Sequence, residues 1–453
     1  MVFYMDRATT FSTSGHVPGM STSTVRYRYR AYPDRDASVK LSRTFGCCRV
    51  VYNDYIAAKE SAYKNDVTVS AGELARQCTT LAKDNEDRAW LAEVSSVPLQ
   101  QAVRDAQSAY SNYFASRKGT RKGPKMGHPA FRKRQNRQSA RFTKSARFKI
   151  ASIHEKRAVL TLPKIGDIPF VLSRPLPSAP SSVTVIREAD GRTYVSFVVR
   201  VQDHDAQPSG RVCGVDAGLR RLAIVCSVDT DSGEETPTIV ANPKYLRSRL
   251  RALARSQRSS KRMTKGSKNN KKAARVTAAL HRKVRESRLD YAHKVADVLV
   301  DTHDVICVET LDMATMARTQ YLTRSVADTG VAQFLRLVEE KSRRRGRTFV
   351  KVGQSFPSTQ LCSSCGELTG PQGLEELHVH HWTCRSCGVS HDRDINAARN
   401  ILVEGLRLLA SEQSEHVADG RSETLNACGA GEAVLVAGGE AGRESEGPHE
   451  NET

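Results

Sequence analysis

The alternation of apolar and polar positions divides the chain into two regions of different architecture. Residues 25–32, VRYRYRAY, alternate as a strand with Arg on one face, and residues 37–63 then follow a helical period. Residues 71–116 read as further helices. Between 157 and 202 the alternation returns in AVLTL, IPFVL, SVTVIRE and TYVSFVVRV, which reads as a small β-barrel or sandwich. From residue 211 the pattern becomes α/β. Strands are expected near 211–217, 221–227, 237–241, 304–309 and 347–352, with helices at 329–345 and 394–410. The stretch RSSKRMTKGSKNNKK is too polar for a packed helix, whereas AARVTAALHRKVRESRLDYAHKVADVLV after it is strongly amphipathic. A chain of 453 residues has room for two to four domains, and the class expected is α/β.

Charge changes this picture. The net charge is +21, but residues 411–453 carry ten acids and two Arg, which leaves about +29 on the first 410 residues. Such a charge is costly to keep compact without a polyanion nearby. It also comes in blocks. Residues 117–149 hold thirteen Lys/Arg and no acid, interleaved with Phe131, Phe142 and Phe148. Positive charge tracks phosphates, and aromatic faces can stack on bases. Residues 244–294 hold eighteen Lys/Arg against two acids and read as a backbone-gripping lid or hinge. Nucleic acid is the partner this distribution implies.

No apolar run reaches the roughly 18 residues that span a bilayer. The polar, Ser/Thr-rich residues 1–24 read as disordered and lack a secretory h-region. The Gly/Glu/Ser-rich tail also reads as disordered. Seven of the eleven cysteines are scattered, several in apolar runs, and read as small buried hydrophobes. That usage points to a reducing cytoplasm.

Three acids carry the candidate chemistry. Asp216 ends the apolar run VCGVD, Glu309 ends DVICVE, and Asp394 opens the last helix in HDRDINAA. A buried carboxylate without a partner is expensive, and a metal removes the expense. Gly214 and Gly218 permit a close backbone approach or a tight turn. Two strand-borne acids and one helix-borne acid can converge on a pair of Mg²⁺ ions at a sheet edge, the arrangement that supports in-line attack on a phosphodiester. Each acid alone has an ordinary reading as turn former, surface charge or helix cap, and Asp392 competes with Asp394 for the third position. Just upstream, Cys362/Cys365 and Cys384/Cys387 form two CxxC units separated by eighteen residues, a spacing suited to structural Zn²⁺. His378, His380 and His381 lie between them and read as bystanders.

At these residues the chain resembles the TnpB/OrfB family of insertion-sequence proteins, which are similar to compact type V CRISPR effectors. GVDAGLRRLA looks like the first RuvC motif, ICVETLDMATMAR the second, and WTCRSCGVSHDRDINAARNIL the zinc ribbon entering the third. RYRYRAYP followed by LSRTFGCCRVVYN resembles the family's N-terminal signature, and GPKMGHPAFRKR its basic stretch. The match runs over about residues 25–410.

The resemblance implies an RNase H-like RuvC core over 211–358, with a basic lid at 244–300, a zinc-ribbon insert at 359–389 and a closing helix at 390–410. It implies a wedge-like β-barrel domain from 25–40 and 117–205, with a helical recognition domain inserted at 41–116. Disordered segments at 1–24 and 411–453 complete this division. It further implies a guide RNA, a double-stranded DNA target and Mg²⁺-dependent cleavage by Asp216, Glu309 and Asp394. The candidate nucleic-acid contacts are Arg49, Tyr52, Asn53, Lys125, Phe131, Arg132, Lys133, Arg134, Arg282, Lys283 and Arg285. Two other readings fit the charge: a non-catalytic DNA-binding regulator or transposition accessory, and a guide-independent structure-specific nuclease.

Overall fold

The structure is a computed structural model that describes residues 21–121, 123, 125–154, 156–310, 330–372 and 375–427. The expectations for residues 1–20, for the second motif beyond residue 310 and for the tail from 428 lie outside the described residues.

Two sheets organise the chain. The first is antiparallel and seven-stranded: β1 (Thr22–Ala31), β2 (Gln138–Thr143), β3 (Lys149–His154), β4 (Arg157–Leu162), β5 (Gly166–Val171), β6 (Ser182–Arg187) and β7 (Thr193–Gln202). Its order runs β2-β6-β7-β1-β5-β4-β3. Between β1 and β2 lie α1 (Arg35–Lys64), α2 (Ala71–Thr79) and α3 (Ser96–Arg117). Helix α1 starts two residues before the periodicity suggests, because the Asp34 carboxylate accepts the Ala37 amide at 2.7 Å and caps it. Its face of Leu41, Phe45, Val51, Tyr52, Tyr55 and Ile56 joins Leu99, Val103 and Ala106 of α3 and Tyr29, Phe170 and Phe197 of the sheet in one core.

Strands β2 and β3 correct the expectation that Phe142 and Phe148 offer their faces to bases. In β2 the polar residues Ser139, Arg141 and Thr143 alternate with Ala140 and Phe142, which turn inward. Phe142 is fully buried and Phe148 packs on the same core, so neither ring is free to stack on a base. Phe131 remains half exposed.

The second sheet is mixed: β8 (Arg211–Asp216), β9 (Arg221–Asp229), β10 (Glu235–Ala241), β11 (Val305–Glu309) and β12 (Thr348–Val352), in the order β10-β9-β8-β11-β12. The first three strands in sequence are antiparallel, and β8, β11 and β12 are parallel. Helices α4 (Tyr245–Lys261) and α5 (Lys268–Thr302) separate β10 from β11, and α6 (Val331–Arg344) precedes β12. A short hairpin of β13 (His381–Thr383) and β14 (Ser390–Asp392) leads into α7 (Arg393–Ala427).

The polar stretch before the amphipathic helix is more helical than its composition suggests. Its Ser and Asn residues act as caps rather than breakers: the Ser267 hydroxyl accepts the Asn270 amide, and the Asn270 side chain donates to the Ser260 carbonyl at 2.9 Å across the α4–α5 hairpin. Helix α7 likewise continues past residue 410 to Ala427, so the first part of the tail is helical.

Layering around the second sheet follows its period of two. Cys213, Val215, Ile306 and Val308 face α5 and α6, where Ala296, Val300, Phe334 and Val338 cover them. The alternate positions, Val212 and Cys307 among them, face Ile401 and Leu402 of α7. The two regions are clasped together. Arg282 of α5 makes a buried ion pair with Asp190 in the β6–β7 turn at 2.6 Å. Asp304 accepts the amides of Ser209 and Gly210 in the linker and pairs with Arg347.

Candidate active site

The register of the second sheet brings two of the three acids side by side. Val308 of β11 is level with Val215 of β8, so Glu309 and Asp216 end adjacent parallel strands at the same height. Both lie on the sheet face that α7 covers, because each stands two positions beyond a residue packed there: Gly214 before Asp216, Cys307 before Glu309.

Two glycines allow α7 to lie that close. A Cβ on Gly214 would run into the Ala398 carbonyl and meet the Leu402 nitrogen at 2.7 Å. A Cβ on Gly405 would run into the Cys307 side chain. The Gly214 expectation of a close backbone approach is therefore met by the α7 backbone, whereas Gly405 went unnoticed in the sequence. Gly218 sits in the β8–β9 turn, its amide donating to the Leu222 carbonyl. With α7 seated in this way, its first turn carries Asp394 to the end of β8. The Asp392 carboxylate is otherwise engaged: Oδ1 accepts the amides of Asp394 and Ile395 and caps the helix.

The electrostatics follow from this crowding. The Asp216 carboxyl is pushed up to about 7, first by burial and then by the charges of Asp394 and Glu309. Burial also raises Glu309, opposed by a contact from the Ser358 hydroxyl at 3.4 Å. Arg393 donates to Asp394 at 3.1 Å. Among the described residues, no cation lies within ion-pair distance of Asp216 or Glu309. A site whose acids outnumber the one guanidinium paired with them among the described residues, Arg393 on Asp394, fits a divalent cation.

The four cysteines form a second centre beside the first. Their Sγ atoms all lie within 4.8 Å of one another, with Cys362–Cys387 at 3.7 Å and Cys365–Cys384 at 3.6 Å. Tetrahedral zinc with Zn–S bonds of about 2.3 Å would separate its sulfurs by about 3.8 Å, so the cluster fits Zn²⁺. The two halves have the same local form. Gly366 and Gly388, both at positive φ, donate their amides to the carbonyls of Cys362 and Cys384. The Thr369 hydroxyl donates to Cys384 Sγ at 3.1 Å, which favours its thiolate. His391 Nε2 lies 3.1 Å from Cys362 Sγ. None of the three histidines between the CxxC units belongs to the cluster.

The candidate nucleic-acid residues are divided by their surroundings. Lys125, Lys133, Arg134, Lys283 and Arg285 are exposed. Arg282 is not available: it is buried between Asp190 and Glu286. Tyr52 is buried beneath the Arg132 guanidinium, 3.8 Å from its ring. Asn53 uses both ends of its amide on the Arg132 backbone, at 2.8 and 3.1 Å. These two residues hold the basic loop in place, while Arg132 also pairs with Asp105 and Arg49 donates to Gln138. Between α1, α3 and β2 lies a groove of about 520 Å³ lined by Arg26, Arg28, Arg49, Arg132 and Arg137. No helix among the described residues is long and apolar enough to cross a membrane.

Comparison with known proteins gives the family. A protein of Streptomyces pristinaespiralis named "Putative RNA-guided DNA endonuclease" is 35% identical over 384 residues, which cover 84% of this chain and 89% of that protein. The chain belongs to the TnpB/OrfB family. The insertion-sequence OrfB model described as "Probable transposase" matches residues 196–320, a Cas12f1-like TNB domain model matches 332–401, and a helix-turn-helix model matches 20–67. In this family member the last segment is strand β1 followed by the single long helix α1. InsQ of Escherichia coli K12, similarly named, is 26% identical over 412 residues, covering 87% of this chain and 95% of that protein. A Cas12f1 chain solved with its guide RNA and target DNA has the same fold at a TM-score of 0.55 and 13% identity, covering 84% of this chain and 98% of that one.

Proposed function

We propose that this TnpB/OrfB protein is an RNA-guided, Mg²⁺-dependent endonuclease of double-stranded DNA. The observation that carries the reading is the meeting of Asp216, Glu309 and the α7 N-terminus at one sheet end, with Asp216 pushed up to about 7 by burial and by the neighbouring acids. The curated relatives bear the matching name over most of their length.

In this reading the second sheet is an RNase H-like RuvC core over 211–358, closed by the helix from 390. The Cys₄ unit at 359–389 is its zinc ribbon. The region around the first sheet, 25–40 and 117–205, is the wedge-like barrel domain, and 41–116, which takes most of α1, is the recognition domain. Asp216, Glu309 and Asp394 hold the divalent ions, which when bound polarise the scissile phosphate and activate a water. Arg393 orients Asp394 through its hydrogen bonds, and the buried strand ends keep the two sheet-borne carboxylates in fixed register. The exposed cations Lys125, Lys133, Arg134, Lys283 and Arg285 grip backbone phosphates, while pairing between guide and target supplies sequence choice. The setting is the bacterial cytoplasm.

The test is to sequence RNA that copurifies with the protein expressed from its native locus. A discrete RNA with a constant scaffold and a segment matching DNA beyond the element is expected. Recovery of random cellular RNA alone would contradict the guided reading.

A further inference from the structure

We infer that Asn400 and Ser358 are positioning residues that set the orientation of Glu309 and tie it to the cysteine centre. This inference rests on the reading of Glu309 as a metal-holding carboxylate.

The argument begins with two carboxamides where an apolar helix face is expected. Asn396 is fully buried and Asn400 nearly so, one turn apart on α7 among Ala397, Ala398 and Ile401. Burying a carboxamide is unfavourable unless its groups find partners, and both nitrogens and the Asn396 oxygen find theirs on a single segment. Asn400 Nδ2 donates to the carbonyls of Ser358 at 2.8 Å and Leu361 at 2.7 Å. Asn396 Nδ2 donates to the same Leu361 carbonyl at 2.7 Å, and its Oδ1 accepts the Ser363 amide at 2.9 Å. Residues 358–363 therefore hang on α7 by four hydrogen bonds to two side chains.

Each end of that segment touches a different centre. At one end the buried Ser358 points its hydroxyl at Glu309 Oε2, 3.4 Å away. At the other lies Cys362, the first thiolate of the cluster. The helix that supplies the two amides also carries Asp394 in its first turn. One helix thus fixes its own acid directly and the strand-borne acid through Ser358. Partners that orient a metal-holding carboxylate typically change metal affinity by about 10–100-fold when lost. A hydroxyl on the carboxylate oxygen also holds the carboxylate in one rotamer before any ion arrives.

The experiment titrates Mn²⁺ into the full-length, zinc-loaded, RNA-bound protein and measures bound Mn²⁺ by electron paramagnetic resonance. Zinc per chain is measured alongside. Ser358→Ala is expected to raise the Mn²⁺ midpoint about tenfold, and Ser358→Thr, which keeps the hydroxyl, to restore it. Asn400→Ala is expected to shift the midpoint in the same direction. Ser358→Ala removes a single hydroxyl and guards against an Asn400 variant that fails to fold. A folded Ser358→Ala protein whose midpoint stays within about twofold of wild type would overturn the inference. Mn²⁺ binding in wild type that does not depend on Asp216 would instead overturn the metal-site reading itself, and the inference with it.

Discussion

Acids of the first region and the two acids that end strands β8 and β11 sit in opposite surroundings. In the first region Asp105, Glu188 and Asp190 each meet guanidinium groups: Arg132 and Arg141 on Asp105, Arg28 on Glu188, Arg282 on Asp190. In the second, Asp216 and Glu309 have no cation within pairing distance among the described residues, although burial raises both. The contrast separates scaffold from site. A buried acid matched by a buried base is satisfied by the fold itself. A buried acid beside other acids is comfortable only when it is protonated or meets something the fold does not supply, and that is the ground for proposing a cation there.

Removing bases from the first region would sharpen this contrast most. Arg282→Ala leaves Asp190 buried without its main partner and is expected to cost about 3–5 kcal/mol. Arg285→Ala, an exposed arginine 3.4 Å from Glu188, is expected to cost less than about 1 kcal/mol. Denaturant unfolding of the two variants measures the difference. Equal effects would show that Asp190 does not depend on its pair.

A smaller effect is expected from closing the gap between α7 and β8. Gly214→Ala places a methyl group against the Ala398 backbone, which neither element can yield cheaply, and is expected to cost about 1–3 kcal/mol. Because α7 carries Asp394, the same variant should weaken divalent-ion binding. A thermal melt and a Mn²⁺ titration check the two halves of that expectation.

The smallest effect concerns proton linkage at Asp216. Its folded carboxyl titrates near 7, above the usual value of about 3.9 for an unfolded Asp. The stability associated with its protonated form is therefore complete below about pH 4 and lost as pH rises through about 7. Asp216→Asn should raise the melting temperature of the metal-free protein at pH 8, and the gain should shrink toward pH 5. Metal binding should run the other way, its midpoint falling as pH rises through 7.

How much of this was legible depended on distance along the chain. The runs VCGVD and DVICVE announce buried strands ending in acids, and the paired CxxC units announce their own cluster, because each signal is local. The fate of individual arginines is not local. Nothing near Arg282 distinguishes it from Arg285, yet the partner that buries it is Asp190, 92 positions earlier. The inward face of β2 is hidden by composition, because Ala140 and Phe142 alternate with Ser139, Arg141 and Thr143 inside a block rich in Lys and Arg. Tyr52 and Asn53 kept their importance but changed their task, from touching a ligand to fixing the loop that carries Arg132. The anchoring amides were legible in principle: Asn396 and Asn400 are polar residues at helical spacing on an otherwise apolar face.

Cleavage of matched double-stranded DNA by the guide-loaded protein, compared with Asp216→Asn in the same assay and with target binding measured on the same samples, tests the central claim most directly. The account predicts that the variant binds as wild type does while cleavage falls by about 10³-fold or more, since the ions lose the acid that ends β8. Cleavage by Asp216→Asn at close to the wild-type rate would contradict it and move the reaction to another part of the molecule.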